Sequence, residues 1–180
     1  MRATVTKPTA ALILTTPEHF LAFGLGTGLA PFAPGTFGTL PGVALFLALM
    51  YLPLPWFAAA VALLFIFGCW LTGTSARLLR VHDHGGIVFD EIVGYQLAAA
   101  PLLLWPLPEG QGLCWGLLAA FALFRLFDVI KPWPISWLDR RIGGGLGIML
   151  DDALAGALAG LLLWGGLWWL LRDALPAITP

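Results

Sequence analysis

Three short stretches hold most of the carboxylates in this chain: VHDHGGIVFDE (Val81 to Glu91), FRLFDVIKPWPISWLDRR (Phe124 to Arg141) and GGGLGIMLDD (Gly143 to Asp152). Asp90 with Glu91, and Asp151 with Asp152, each open an apolar segment. A pair of acids at a helix start has a plain structural use, since it complements the positive end of the helix dipole by about 0.3–1 kcal/mol. Asp128 has no such use, because it lies near the C-terminal end of its segment, where the dipole disfavours an anion. Five carboxylates gathered at one place repel one another without a counter-charge, and a divalent cation relieves this. All-oxygen donors favour Mg2+ over zinc or copper. Asp90, Glu91, Asp128, Asp151 and Asp152 are therefore the candidate metal ligands and catalytic acids.

The cations near them suggest what such an ion would work on. Arg125, Asp128 and Lys131 follow at intervals of three and so share a helix face. A simple ion-pair ladder, snorkelling at an interface, accounts for them structurally. With Arg140 they also form a stripe suited to phosphate oxygens. The HDH sequence, His82 to His84, has the look of a metal pair, but for His84 a role behind the ligands or in proton transfer fits a loop better. Asp83 is equally open. A further stretch, GLGTGLAPFAPGTFGTLPG (Gly24 to Gly42), places glycines, prolines and hydroxyls before a helix, where backbone N–H groups suit a phosphate. It lacks the lysine of a P-loop, and any re-entrant turn has similar needs. Thr36 and Thr39 are its candidate substrate contacts.

The elements that must position these groups are membrane helices. The 180 residues are 59% hydrophobic and only 11% charged, against roughly 45–50% and 25% in soluble domains. No Asp, Glu, Lys or Arg occurs from His19 to Ala76. A membrane-spanning helix takes about 20 apolar residues, which gives five candidates near residues 37–53, 56–75, 90–106, 110–128 and 152–171. Prolines between the first two force a tight turn. Ahead of them, Thr16 is placed to cap a short helix beginning at Pro17, too short to span and so interfacial or re-entrant. The fold expected is an all-α, multi-pass membrane protein of a single domain over residues 1–180.

With five spans, one side of the membrane collects Arg2, Lys7, Arg77, Arg80, Arg125, Lys131, Arg140 and Arg141, leaving only Arg172 opposite. By the positive-inside rule that side is cytoplasmic, and all three acidic clusters lie on it. Gly94 follows Asp90 by one turn, and Gly156 and Gly160 follow Asp152. Small residues at this spacing let helices approach closely, which would bring the two acidic pairs within reach of one ion. Cys69 and Cys114 read as small hydrophobes, and tryptophans near span ends such as Trp105 and Trp168 as interfacial anchors. The apolar AALIL run is too short for a signal peptide. No basic run suggests nucleic acid, and no protein partner is indicated beyond membrane lipids.

Taken together and in this order, PGTFGTLPG, VHDHGGIVFDEIVG, FRLFDVIKPWPI and GGGLGIMLDDALAG resemble the phosphatidylglycerophosphatase A family, over roughly residues 17–160. The resemblance implies a bacterial inner-membrane phosphatase that is magnesium-dependent. Its substrate would be phosphatidylglycerol phosphate, and its products phosphatidylglycerol and phosphate. The motif residues carried over are Asp90, Glu91, Asp128, Lys131, Asp151 and Asp152. On chemical grounds Arg125, Lys131 and Arg140 would grip phosphate oxygens while water attacks phosphorus directly. The competing class is a small transporter or channel with a cation site, which would place charge near the middle of its spans. The centres of these spans are bare.

Overall fold

A computed structural model of the chain describes residues 8–81, 84–105 and 110–172. Its regular elements are helical: α1 (Ala10–Thr15), α2 (Pro17–Ala22), α3 (Pro34–Leu49), α4 (Leu54–Leu79), α5 (Phe89–Ala99), α6 (Gln111–Ile130), α7 (Ile135–Asp139) and α8 (Gly144–Leu171). Short 3-10 turns at Thr27–Leu29 and Ala100–Leu103 complete the described set. The all-α expectation holds, and the chain builds several apolar helices of a membrane protein.

Among the described residues, α4, α6 and α8 are long and apolar enough to cross a membrane. The other two expected spans are helical but shorter. The apolar α3 has 16 residues, and α5 has 11 before it tightens into the 3-10 turn. Pro101 sits where that tightening occurs, and a proline cannot donate the backbone bond that would continue an α-helix.

Two helix starts differ from expectation. The helix α2 begins at Pro17 as expected, but the Thr16 side chain makes no capping bond. The preceding residues form α1, whose cap is Thr9, accepting from the Leu12 N–H at 3.3 Å. More consequentially, α8 starts at Gly144 rather than near Asp152, so Asp151 and Asp152 lie about two turns inside it and not at its dipole end. The glycine run that reads as a loop is helical for a packing reason. A Cβ on Gly145 would overlap the Cys69 carbonyl of α4, so only glycine lets the two backbones meet.

The same logic holds α5 and α8 together. A Cβ on Gly156 would collide with the Gly94 carbonyl, and one on Gly94 would press on the Asp152 carbonyl and Phe124. This is the close approach expected of the small residues, and α5 and α8 form the most extensive helix pair of the structure. Buried polar side chains fix α5 on its other sides. Gln96 Nε2 donates to the Gly42 carbonyl of α3 at 2.8 Å, and the Tyr95 hydroxyl donates to the Leu117 carbonyl of α6 at 3.1 Å. In a medium without water such bonds leave few alternatives for the groups that make them.

The N-terminal helices cover one end of this bundle. His19 of α2 and Ser75 of α4 share a buried hydrogen bond of 2.8 Å. Burial pushes the His19 ring below its usual pKa, against the opposing charge of Glu18. The Val88 N–H donates to the Ala22 carbonyl at 2.9 Å, so α2 is tied to the segment that leads into α5. The covered end is where α3, α5 and α8 begin and α4 and α6 finish.

Candidate active site

Three carboxylates meet at this end. Asp90 and Glu91 stand in the first turn of α5, and Asp152 reaches them from α8 across the Gly94–Gly156 contact. One oxygen from each lies within 4.8 Å of the others. Asp90 Oδ1, Glu91 Oε2 and Asp152 Oδ2 are buried and have no hydrogen-bond partner. Unpaired buried anionic oxygens are costly, and three of them converging need a cation. Their hard, all-oxygen character suits a divalent ion of the magnesium or calcium type.

The other two expected ligands are held differently. Asp128 Oδ2 pairs with Arg125 NH1 at 2.6 Å, and the same guanidinium lies 3.6 Å from Glu91 Oε1. Asp128 is also near enough to Glu91 and Asp152 to interact with them electrostatically. Asp151 turns away. Its Oδ2 accepts from Lys131 Nζ, and its Oδ1 accepts from the Asp152 N–H at 3.1 Å. Lys131 also lies 3.5 Å from Asp139 of α7. Burial works against the charge on Lys131, but the bond to Asp151 and the surrounding acids outweigh it and hold the ammonium well above its ordinary pKa.

The expected ladder on α6 therefore ends after one rung. Lys131 has a left-handed backbone at φ 43° and closes the helix, because Pro132 disfavours the helical conformation in the residue before it. Its side chain leaves the Arg125–Asp128 face and serves Asp151 instead.

The start of α3 also borders the cluster. A Cβ on Gly35 would overlap Glu91 Oε1 and come within 2.9 Å of both terminal nitrogens of Arg125. A side chain here would displace the ends of Glu91 and Arg125, so glycine lets the start of α3 lie against both. Thr36, on the next position, is half-buried. Thr39 is fully buried, and its hydroxyl donates to the Gly35 carbonyl at 2.8 Å, so it shapes the helix rather than facing a ligand. Arg140 is exposed at the end of α7.

His84 stands apart from the acids. Its Nδ1 accepts from the Gly86 N–H at 3.0 Å, which leaves the ring proton on Nε2, and the ring packs on Phe23 at 5.4 Å. That is a turn-building role. His82 and Asp83 lie outside the described residues. Gly35 and Asp139 escaped the sequence reading. The first lies inside a motif whose glycines read only as part of a backbone cradle, and the second is one acid beside two arginines, with no spacing to mark it.

The Phosphatidylglycerophosphatase A family profile matches residues 20–166. The chain belongs to the phosphatidylglycerophosphatase A family. A Haemophilus influenzae protein named Phosphatidylglycerophosphatase A is 42% identical over 171 residues, covering 93% of this chain and 99% of its own length. The Escherichia coli protein of the same name is 40% identical over 159 residues, 88% of each chain. A Bacteroides thetaiotaomicron relative, 37% identical over 150 residues (81% of this chain, 90% of its own), bears a provisional name, phosphatidylinositol-3-phosphatase. No solved structure matches the chain significantly. The family match takes in every acid of the cluster, and it also includes Gly35, Arg125 and Lys131.

Proposed function

We propose that this chain is a magnesium-dependent phosphatidylglycerophosphatase. It works as one membrane-embedded domain at the cytoplasmic face of a bacterial inner membrane. It removes the terminal phosphomonoester of phosphatidylglycerol phosphate, releasing phosphate and phosphatidylglycerol. The observation that carries the reading is the convergence of the Asp90, Glu91 and Asp152 carboxylates, each with a buried oxygen that has no hydrogen-bond partner, beside the Arg125 guanidinium, in a chain of this family.

Asp90, Glu91 and Asp152 would hold the metal, with Asp128 close behind. A divalent ion bound there supplies charge neutralisation at the phosphoryl group and orients water. The chain's own groups do the rest. Arg125 is anchored by Asp128 and Glu91, so its fork is set before substrate arrives and binds phosphate oxygens at little entropic cost. Lys131, fixed by Asp151 and Asp139, presents a second cation for the headgroup. Thr36, at the exposed side of the α3 start, is the hydroxyl free to approach the substrate, and Arg140 attracts the anionic headgroup from the rim. Asp128, Glu91 and Asp151 each lie against a cation, and Asp90 and Asp152 share the cluster with Glu91, so no acid stands apart as a nucleophile, which favours direct attack of water on phosphorus.

A cation transporter is the alternative reading, and the position of the acids counts against it. From Asp152 to Leu171 is nineteen residues of α8, a rise of about 28 Å, close to the ~30 Å hydrocarbon thickness. With Leu171 at the far edge, Asp152 would stand at the near one, where a lipid headgroup lies. The test is phosphate release from phosphatidylglycerol phosphate by the purified protein in detergent. Release that stops with a chelator and returns with Mg2+ is expected. No release in the presence of Mg2+, or release indifferent to the chelator, overturns the proposal.

A further inference from the structure

We propose that an apolar groove between α4 and α5 holds one acyl chain of the lipid whose phosphate is hydrolysed at the acid cluster. The proposal rests on the phosphatase reading and extends it to the part of the substrate that never reacts.

The groove has a volume of about 540 Å3. Its α4 wall runs from Ile66 down through Ala62 and Ala58 to Leu54, and its other wall is Val93 and Leu97 of α5 with Ala100 at the start of the following 3-10 turn. Every residue along it is apolar, so it offers a headgroup nothing and a hydrocarbon everything. Phe57, Val61 and Phe65 of α4 also line it, and the small side chains of Ala58 and Ala62 leave the space between them.

Its position joins it to the acids. Val93, Leu97 and Ala100 follow Asp90 by three, seven and ten residues, which puts them on the same face of α5. Gly68 of α4 lies level with Phe89, since a Cβ there would come within 3.1 Å of that ring. The top of the groove at Ile66 is therefore less than one turn below the level of the catalytic carboxylates. From Ile66 to Leu54 it descends about 18 Å, slightly more than half of the ~30 Å hydrocarbon thickness. Leu54 opens α4 beside the turn between α3 and α4, so the groove leads from the level of the acids to the far end of that helix.

Its width selects the occupant. Spread over that depth, the volume gives a mean cross-section of about 30 Å2. An α-helix, at about 10 Å across, needs nearer 80 Å2, so a helix from a second copy does not fit. An extended hydrocarbon chain, with carbons touching at about 4 Å, needs roughly 20 Å2.

The experiment compares kcat/KM for dipalmitoyl and dihexanoyl phosphatidylglycerol phosphate. Ala58→Trp and Ala62→Trp each block the groove, and each should lower the long-to-short ratio about tenfold, the loss expected when roughly two methylene groups lose their burial. Ala119→Trp, in the separate groove between α6 and α8, should leave the ratio at the wild-type value. In case a tryptophan disturbs folding, the unaltered protein is also photolysed with phosphatidylglycerol carrying a mid-chain diazirine. Adducts are expected within residues 54–66 and 93–100. Wild-type release of phosphate from both substrates, with ratios unmoved and adducts elsewhere, overturns the groove and leaves the phosphatase intact. Efficient Ala62→Cys disulfide linkage between copies would also overturn it, by showing a protein neighbour there. Failure of the wild type to release phosphate from either substrate would sink the phosphatase reading itself.

Discussion

Asp151 and Asp152 are neighbours with opposite circumstances. Asp151 is satisfied by Lys131 and by a backbone N–H, whereas Asp152 points an unpartnered oxygen at Asp90 and Glu91. Asp152→Asn should therefore lower kcat by about a hundredfold or more, as removal of one member of a unit does. Because it removes one of several mutually repelling charges, it should not lower the unfolding temperature in the absence of metal. Asp151→Asn should cost less in kcat and show itself as a raised KM through a displaced Lys131. Steady-state kinetics beside thermal unfolding in detergent checks both, and equal kcat losses would refute the division of labour. The pairing also bears on stereochemistry. With Asp128 and Asp151 bound to cations and the other three facing one another, a single in-line displacement by water should invert configuration at a chiral thiophosphoryl group. Retention, with a phosphorylated acid trapped, would make one of these residues the nucleophile. All five acids were visible in the sequence, because a carboxylate in so apolar a chain demands a reason. Their division into three and two was not, since it depends on the turn at Lys131 that sends its ammonium to Asp151 rather than along α6.

Helix contacts translate those side-chain positions into a site. The α5–α8 contact is set by Gly94, Gly156 and Gly160 meeting opposing backbone, and the distance between Asp90 and Asp152 follows from it. Gly156→Leu would drive the side chain into the Gly94 carbonyl and part the two helices. The expected result is a stability loss of about 1–3 kcal/mol and a fall in activity exceeding what that loss explains, because a shift of about 1 Å in a catalytic constellation can cost a hundredfold. Gly165→Leu, on the same helix with nothing within 4 Å, should be close to neutral in both unfolding and turnover. A similar response from the two variants would mean that helix propensity, not close approach, governs the result. The spacing of these glycines is legible in the amino-acid sequence, as is the apolar character of each segment. The start of α8 is not, because Gly143, Gly144, Gly145 and Gly147 carry the composition of a loop, while Gly145 and Gly147 are packed in the helix against the Cys69 carbonyl of α4 and the Ile142 carbonyl.

For the molecule as a whole, helix length and the placement of the acids decide how the bundle can sit in a membrane. Among the described residues, three helices have the length to cross. The run from Asp90 to Leu103 rises only about 20 Å even if wholly α-helical, short of the ~30 Å required, so α5 reaches the far side only with help from the segment after it. The sequence could not show this shortfall, because hydropathy continues through Pro101 and Leu104 without a break. The proposed five crossings nevertheless make a definite demand. They put the loop before α5 on the cytoplasmic side with the acids, and the turn between α3 and α4 on the other. Gly85 has open space around it and Tyr51 is 84% exposed, so both accept a reporter without disturbing the core. In a variant with Cys69 and Cys114 replaced by alanine, Gly85→Cys should react with a membrane-impermeant thiol reagent only in inverted vesicles, and Tyr51→Cys only in intact spheroplasts. Labelling of both from one side would mean that α4 does not cross as proposed. Reversed labelling would put the acid cluster outside the cell, away from the cytoplasmic leaflet, and overturn the proposed orientation.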